Sequence, residues 1–156
     1  MSRTTSLVIA LVAFLIAGVA LGFVVWSMTS GPERLARDLP PGERIFRFGL
    51  DAEGNPIPRS GGMMMRTGCA GCHGRDGGGR STAMFVSPDI TYENLTDPAG
   101  MREPDGSRGD TFTDALIRRA VTEGLDAEGE PLSWPMPQWR LSDEQWSALL
   151  EHLKSL

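Results

Sequence analysis

The chain holds only two cysteines, and both lie in one pentapeptide, Cys69-Ala70-Gly71-Cys72-His73. Two thiols separated by two residues can each add across one vinyl group of a single haem, and the imidazole of the adjoining His73 then lies beneath the iron. Three other chemistries use the same residue types. A structural zinc ion needs about four ligands, and the chain supplies one further histidine, His152, and no second cysteine pair. A thioredoxin-like dithiol belongs in a βαβ context, whereas this pentapeptide sits in Gly-rich sequence with no strand pattern before it. A disulfide between residues so close would close a very small loop and stabilise little. We therefore read Cys69 and Cys72 as thioether anchors of one covalent haem c and His73 as an axial ligand of its iron.

The second axial ligand has to come from elsewhere, and eight methionines are available. Met136 lies in Ser133-Trp134-Pro135-Met136-Pro137-Gln138-Trp139. Prolines on both sides restrict the backbone, so the thioether can be held in one place, and Trp134 and Trp139 can screen the haem from water. The competing reading is that Met136 is ordinary core filling, as most methionines are. Met84 and Met101 are its rivals as ligands, because both fall in loop sequence. Met63, Met64 and Met65 stand too close before Cys69 to reach the opposite haem face easily. A thioether ligand favours ferrous iron and raises the potential. It also fills the sixth position, so small ligands should bind poorly.

These residues need elements to position them. Ser142 and Gln145 form a capping box, and Trp146, Leu149, Leu150 and Leu153 follow at the spacing of one apolar helix face. His152 falls on the polar side and reads as solvent-facing. An earlier helix is predicted over Thr111–Glu123, capped by Asp110 or Thr111, with Phe112, Leu116, Ala120 and Val121 inward and Gly124 as its stop. Nineteen glycines and eleven prolines make the rest loop-rich. A small domain of that kind needs something to pack around, and a large apolar cofactor would serve. One nonapeptide occurs twice, as Gly49-Leu50-Asp51-Ala52-Glu53-Gly54-Asn55-Pro56-Ile57 and Gly124-Leu125-Asp126-Ala127-Glu128-Gly129-Glu130-Pro131-Leu132, with seven of nine positions identical. Each copy reads as a tight turn opened by Asp, with Gly at positive φ. The acids lack the loop length and closing Glu of an EF-hand. Two short hairpins that pair with each other and buttress the Met136 loop are expected instead.

Leu7 to Trp26 is a run of twenty uncharged residues, which matches the roughly 20 needed to cross a hydrocarbon core. Arg3 and the amino terminus precede it, so the remainder should lie outside, with Trp26 at the outer interface. A cleaved signal peptide competes, with Gly18-Val19-Ala20 as its cleavage site, but the apolar run exceeds the roughly 7–15 residues of a signal core. The expected organisation is an anchor over 1–30, a Pro- and Gly-broken tether over 31–41 with a short helical stretch from Glu33 to Asp38, and a globular domain over 42–156. Export to an oxidising compartment suits the cysteines. The net charge of −5 and the lack of any basic run argue against nucleic acid as a partner.

From Cys69 to Leu156 the chain resembles the class I cytochromes c: an attachment pentapeptide, a Gly-rich loop, a middle helix, a Met-Pro loop and an amphipathic C-terminal helix, in that order. The resemblance implies a mainly α fold, a small cytochrome c domain with short hairpins around one covalent haem, preceded here by one N-terminal transmembrane helix. Such proteins place Gly eight residues and an aromatic four residues before the first cysteine, where the first and last helices cross. Gly61 fits that spacing, but Met65 stands at the aromatic position. Gly42-Glu43-Arg44-Ile45-Phe46 has the Gly and the aromatic farther upstream, with residues 47–68 then reading as an insertion into the first helix. The resemblance also implies that a proline carbonyl accepts the His73 ring N–H, with Pro88 in that role. Arg75, Arg80, Trp134 and Trp139 are the implied partners of the haem propionates.

The expected function is one-electron transfer in a respiratory chain, not catalysis, since no nucleophile–base pair or open metal position is evident. The expected setting is the outer face of a bacterial cytoplasmic membrane, between a quinol-oxidising complex and a terminal oxidase or reductase. A relay subunit of a larger oxidoreductase complex, and a haem sensor or peroxidase, are the alternatives.

Overall fold

The computed structural model describes residues 11–25, 36, 38–63 and 68–156. The chain divides into two units, Met1–Asp38 and Leu39–Leu156.

In the first unit, helix α1 covers residues 11–25, all of them exposed. Among the described residues no helix is long and apolar enough to cross a membrane. The expected span, Leu7 to Trp26, extends past α1 at both ends, and those ends lie outside the described residues, as does most of the stretch from Glu33 to Asp38.

The second unit begins with α2, Pro41–Phe48. Proline at the first helical position sacrifices no intrahelical hydrogen bond, Glu43 and Arg47 pair one turn apart at 2.6 Å, and Gly49 closes the helix in the left-handed conformation. Next come β1 (Arg59–Ser60), α3 (Ala70–His73), β2 (Arg80–Ser81), β3 (Val86–Ser87), α4 (Tyr92–Leu95), α5 (Asp114–Glu123), β4 (Gln138–Trp139) and α6 (Asp143–Leu153). The strands form two antiparallel pairs, β1 with β4 and β2 with β3.

Helix α6 starts as expected, with the Ser142–Gln145 capping box formed and Trp146, Leu149 and Leu153 buried. Helix α5 is shorter than predicted. It begins at Asp114 because Thr113, not Thr111 or Asp110, accepts the Leu116 N–H and caps it. Phe112 is buried ahead of the helix, tied to α4 through its N–H to the Leu95 carbonyl.

The helix crossing on α6 is made by α2, from the upstream Gly and aromatic. A Cβ on Gly42 would fall on the Ala148 carbonyl, so only glycine lets the two backbones approach this closely. Phe46 has no exposed surface, a burial worth roughly 1.5–3 kcal/mol. Gly61 has open space at its Cβ position and takes no part; Met65 lies outside the described residues. The extra segment follows the first helix after Gly49 and does not interrupt it. His152 does not face solvent as expected: it is half-buried, its ring 5.1 Å from that of Phe46.

The repeated nonapeptides form the same turn twice. Leu50 bridges Pro56 and Leu125 bridges Pro131. The Asp51 carboxylate accepts the N–H groups of Glu53 and Asn55, and that of Asp126 those of Glu128, Gly129 and Glu130. The turns do not pair with each other, contrary to expectation, because each is closed internally. The pairing lies just downstream, where Arg59 faces Trp139 and Ser60 faces Gln138.

Candidate functional site

Helix α3 is a single turn that places the attachment residues. Its backbone binds locally, with the Cys72 and His73 N–H groups donating to the Cys69 carbonyl. Gly68, just before it, is pressed on the end of α2, where a Cβ would stand 2.6 Å from the Arg47 carbonyl carbon. The first helix and the pentapeptide are thereby held at a set distance, although the chain between them is long.

His73 is buried. Its Nδ1 lies 2.9 Å from the Pro88 carbonyl oxygen, which can only accept, so Nδ1 carries the proton and Nε2 keeps its lone pair for a metal. Burial lowers the imidazole pKa, and the Pro88 bond opposes that in part. The Pro88 position is secured by its neighbour. Ser87 Oγ donates to the Cys72 carbonyl at 2.6 Å and accepts the Arg80 N–H at 3.0 Å.

Both thiols are free and half-buried. Burial pushes the Cys69 thiol up to about 12. A redox-active dithiol needs the opposite shift, toward thiolate, whereas a neutral thioether is at home in such packing. Among the described residues no three His, Cys, Asp or Glu side chains group as metal ligands.

A cavity of about 450 Å³ opens beside α3, within the roughly 300–1,000 Å³ of small-molecule and cofactor sites. Cys69, Cys72, His73 and Met136 all line it, and Phe46, Ile117, Val121, Trp139, Leu149 and Leu153 supply apolar walls from α2, α5, β4 and α6. Sulfur nucleophiles, an imidazole nitrogen and a thioether around one apolar space fit a covalently held haem.

The implied surroundings are met in part. Pro88 and Trp139 line the cavity. Trp134 does not, being 73 % exposed, because it stands at the outer bend of the Met136 loop. Arg75 and Arg80 are also exposed and off the wall. The guanidinium on the wall is Arg59, brought there by β1 and stacked 5.5 Å from the Trp139 ring. Nothing in the local sequence of Arg59 marks it; only the β1–β4 register does.

The methionines also sort themselves. Met84 is 81 % exposed, while Met101 is buried on the cavity wall. Met63 lines the cavity as well, although closeness in sequence to Cys69 argued against it. Met64 and Met65 lie outside the described residues. Glu103, Asp110 and Asp126 also line the cavity, a place the sequence reading gave to none of them. Burial, with Asp105 and Asp110 nearby, raises the Glu103 pKa.

The family model described as Cytochrome c covers residues 60–156. No curated protein and no solved structure gives a significant match.

Proposed function

This chain belongs to the cytochrome c family, and from that premise we propose that it is a single-haem electron carrier with His73 and Met136 as axial ligands, serving a respiratory chain. One-electron exchange is the chemistry that covalent haem c supplies, and Cys69 and Cys72 fit its attachment. The remaining work falls to the side chains. His73 presents Nε2, oriented by the Pro88 carbonyl. Met136 supplies a neutral sulfur that favours the ferrous state. Phe46, Leu149 and Trp139 exclude water, and Arg59 with Trp139 takes the propionate role first given to Arg75, Arg80 and Trp134. The observation that carries the reading is the convergence of Cys69, Cys72, His73 and Met136 on one apolar cavity.

The N-terminal run is read as the anchor that keeps the domain on the outer face of the cytoplasmic membrane. The exposed apolar residues of α1 support this, since a soluble surface rarely leaves such a stretch uncovered. Anchoring keeps the carrier at high effective concentration near a quinol-oxidising complex and a terminal oxidase or reductase. A second reading, a fixed relay subunit, is favoured by the exposed Met84, Val86 and Trp134, apolar surface of the kind a neighbouring subunit covers.

The test is a native gel of gently solubilised membranes, stained for haem, with the band identified by mass. A band at the size of the chain alone supports the carrier. A band at the size of an oxidase or reductase supports the relay. No haem stain on the chain would end both readings.

A further inference from the structure

The duplication is longer than the nonapeptide. Arg44 and Arg119 each stand five residues before the glycine that ends their helix. Arg44 donates to the carbonyls of Asp51 and Ala52, and Arg119 to those of Asp126 and Ala127. Gly49 and Gly124 both close a helix in the left-handed conformation. The Gly49 carbonyl accepts the Ile57 N–H at 2.8 Å, and the Gly124 carbonyl accepts the Leu132 N–H at 2.7 Å. Helix, arginine clamp, glycine stop and Asp turn are thus one device built twice. Its second copy delivers the chain to Met136.

The first copy also delivers a methionine. Strands β1 and β4 run antiparallel, with Ser60 opposite Gln138. Residues after Ser60 therefore run back along the residues before Gln138. Gly62 meets Pro137, and the Met63 N–H donates to the Pro135 carbonyl at 3.3 Å. Arg59 holds the Met63 carbonyl from within the same strand-and-loop segment. Met63 and Met136 consequently lie on adjoining loops, and both line the cavity.

We infer that Met63 is an auxiliary thioether ligand of the same iron, taking the sixth position when Met136 leaves it. The inference rests on the reading of Met136 as resident ligand. The exchange is of one neutral sulfur for another: the bond to Met136 Sδ breaks as the bond to Met63 Sδ forms, and neither a proton nor an electron moves. Its effect is to keep the sixth position closed to small molecules whenever Met136 is off it.

The experiment uses the full haem-bearing chain in detergent, with Met136→Leu, Met63→Leu and the double variant. Leucine keeps the side-chain volume and removes the sulfur, so packing is preserved. Two signals are read: the ring-current-shifted methyl resonance of iron-bound methionine in the reduced protein, and carbon monoxide binding. Haem stain verifies attachment in each variant. Retention of a methionine resonance in Met136→Leu, with a changed shift, and its loss in the double variant together with a gain of carbon monoxide binding, is the expected result. Loss already in Met136→Leu overturns the auxiliary role while leaving Met136 as ligand. Loss in Met63→Leu, with an unchanged resonance in Met136→Leu, makes Met63 the resident ligand and overturns both readings. Retention in the double variant points to Met101 and likewise overturns both.

Discussion

Gly62 and Pro137 meet so closely that a Cβ on the glycine would stand 2.7 Å from the proline Cβ. Gly62 also has φ of +72°, which side chains other than glycine adopt at a cost. The Met136 loop is therefore braced by a residue more than seventy positions earlier. Gly62→Ala should push the loops apart, lower stability by about 1–3 kcal/mol and speed carbon monoxide binding to the reduced protein. Flash photolysis reads the second effect. An unchanged rate would mean that the contact braces nothing at the iron.

The crossing of α2 and α6 gives a second expectation. Gly42→Ala forces a methyl group against the Ala148 carbonyl, and backbone cannot yield as a flexible side chain would. The loss should be at least about 1–3 kcal/mol, seen in denaturant titrations. Gly61→Ala, at the position of family-like spacing, meets no neighbour and should cost less, limited to the strain of its positive φ. Equal losses at the two sites would contradict the assignment of α2 to the crossing.

Ser87 links the Pro88 turn to the attachment helix through the Cys72 carbonyl. Ser87→Ala takes from that carbonyl its hydroxyl donor and from the Arg80 N–H one acceptor, at about 1–3 kcal/mol. Covalent haem should be retained, because neither cysteine moves. Thermal unfolding of the haem-bearing protein measures the loss, and a stability equal to the parent would show that water replaces the hydroxyl.

A surface triad predicts a pH window. Lys154 Nζ and the Tyr92 hydroxyl each donate to the Asp114 carboxylate at 2.8 Å. Lys154 first, then Tyr92, holds the Asp114 carboxyl below its usual value, and Asp114 holds Lys154 above its own. The Asp contribution is present above the unfolded value of about 3.9 and lost as pH falls through the lower folded value. The Lys contribution is present below about 10.4 and lost as pH rises through the higher folded value. Lys154→Met should therefore be less stable by a constant amount between those limits, with the deficit closing in acid. A deficit that persists in strong acid would assign it to lost packing on the Tyr92 ring, 5.0 Å away.

Glu103 lines the cavity with its pKa raised, chiefly by burial. When ionised it places negative charge on the wall of the cavity that would hold the haem, which would favour the oxidised form. Glu103→Gln should raise the midpoint potential at high pH. That difference should fade as pH falls through the raised folded pKa, where the parent also becomes neutral. Potentiometric titration at several pH values checks it, and a pH-independent difference would rule out the carboxyl as its source.

Much of the site was legible because its chemistry is local. Cys69, Cys72 and His73 are neighbours in sequence, and the Ser142 cap with its apolar face announces α6 without reference to anything distant. What sequence reading missed depends on long-range register. Arg59 and Met63 carry no local mark, and their place on the wall follows only from β1 pairing with β4. Trp134 looked like a haem screen because it flanks Met136, yet the sharp Pro-Met-Pro bend turns it outward. The repeat was visible, but its closure within each copy is set by the Asp51 and Asp126 carboxylates binding their own backbone. The start of α5 moved because several Thr and Asp residues could cap it, and tertiary packing of Phe112 chose among them.

The Ser60–Gln138 side-chain contact spans 78 residues. Contacts of such separation are reached late, after local helices and turns have formed. The β1–β4 pairing is what carries Arg59 and Met63 to the wall of the cavity. Until it forms, the part of the wall that Arg59 and Met63 supply is missing, and the cavity beside Cys69 and Cys72 stands open on that side. Strand pairing thus closes the chain around the cavity as a clasp closes a belt.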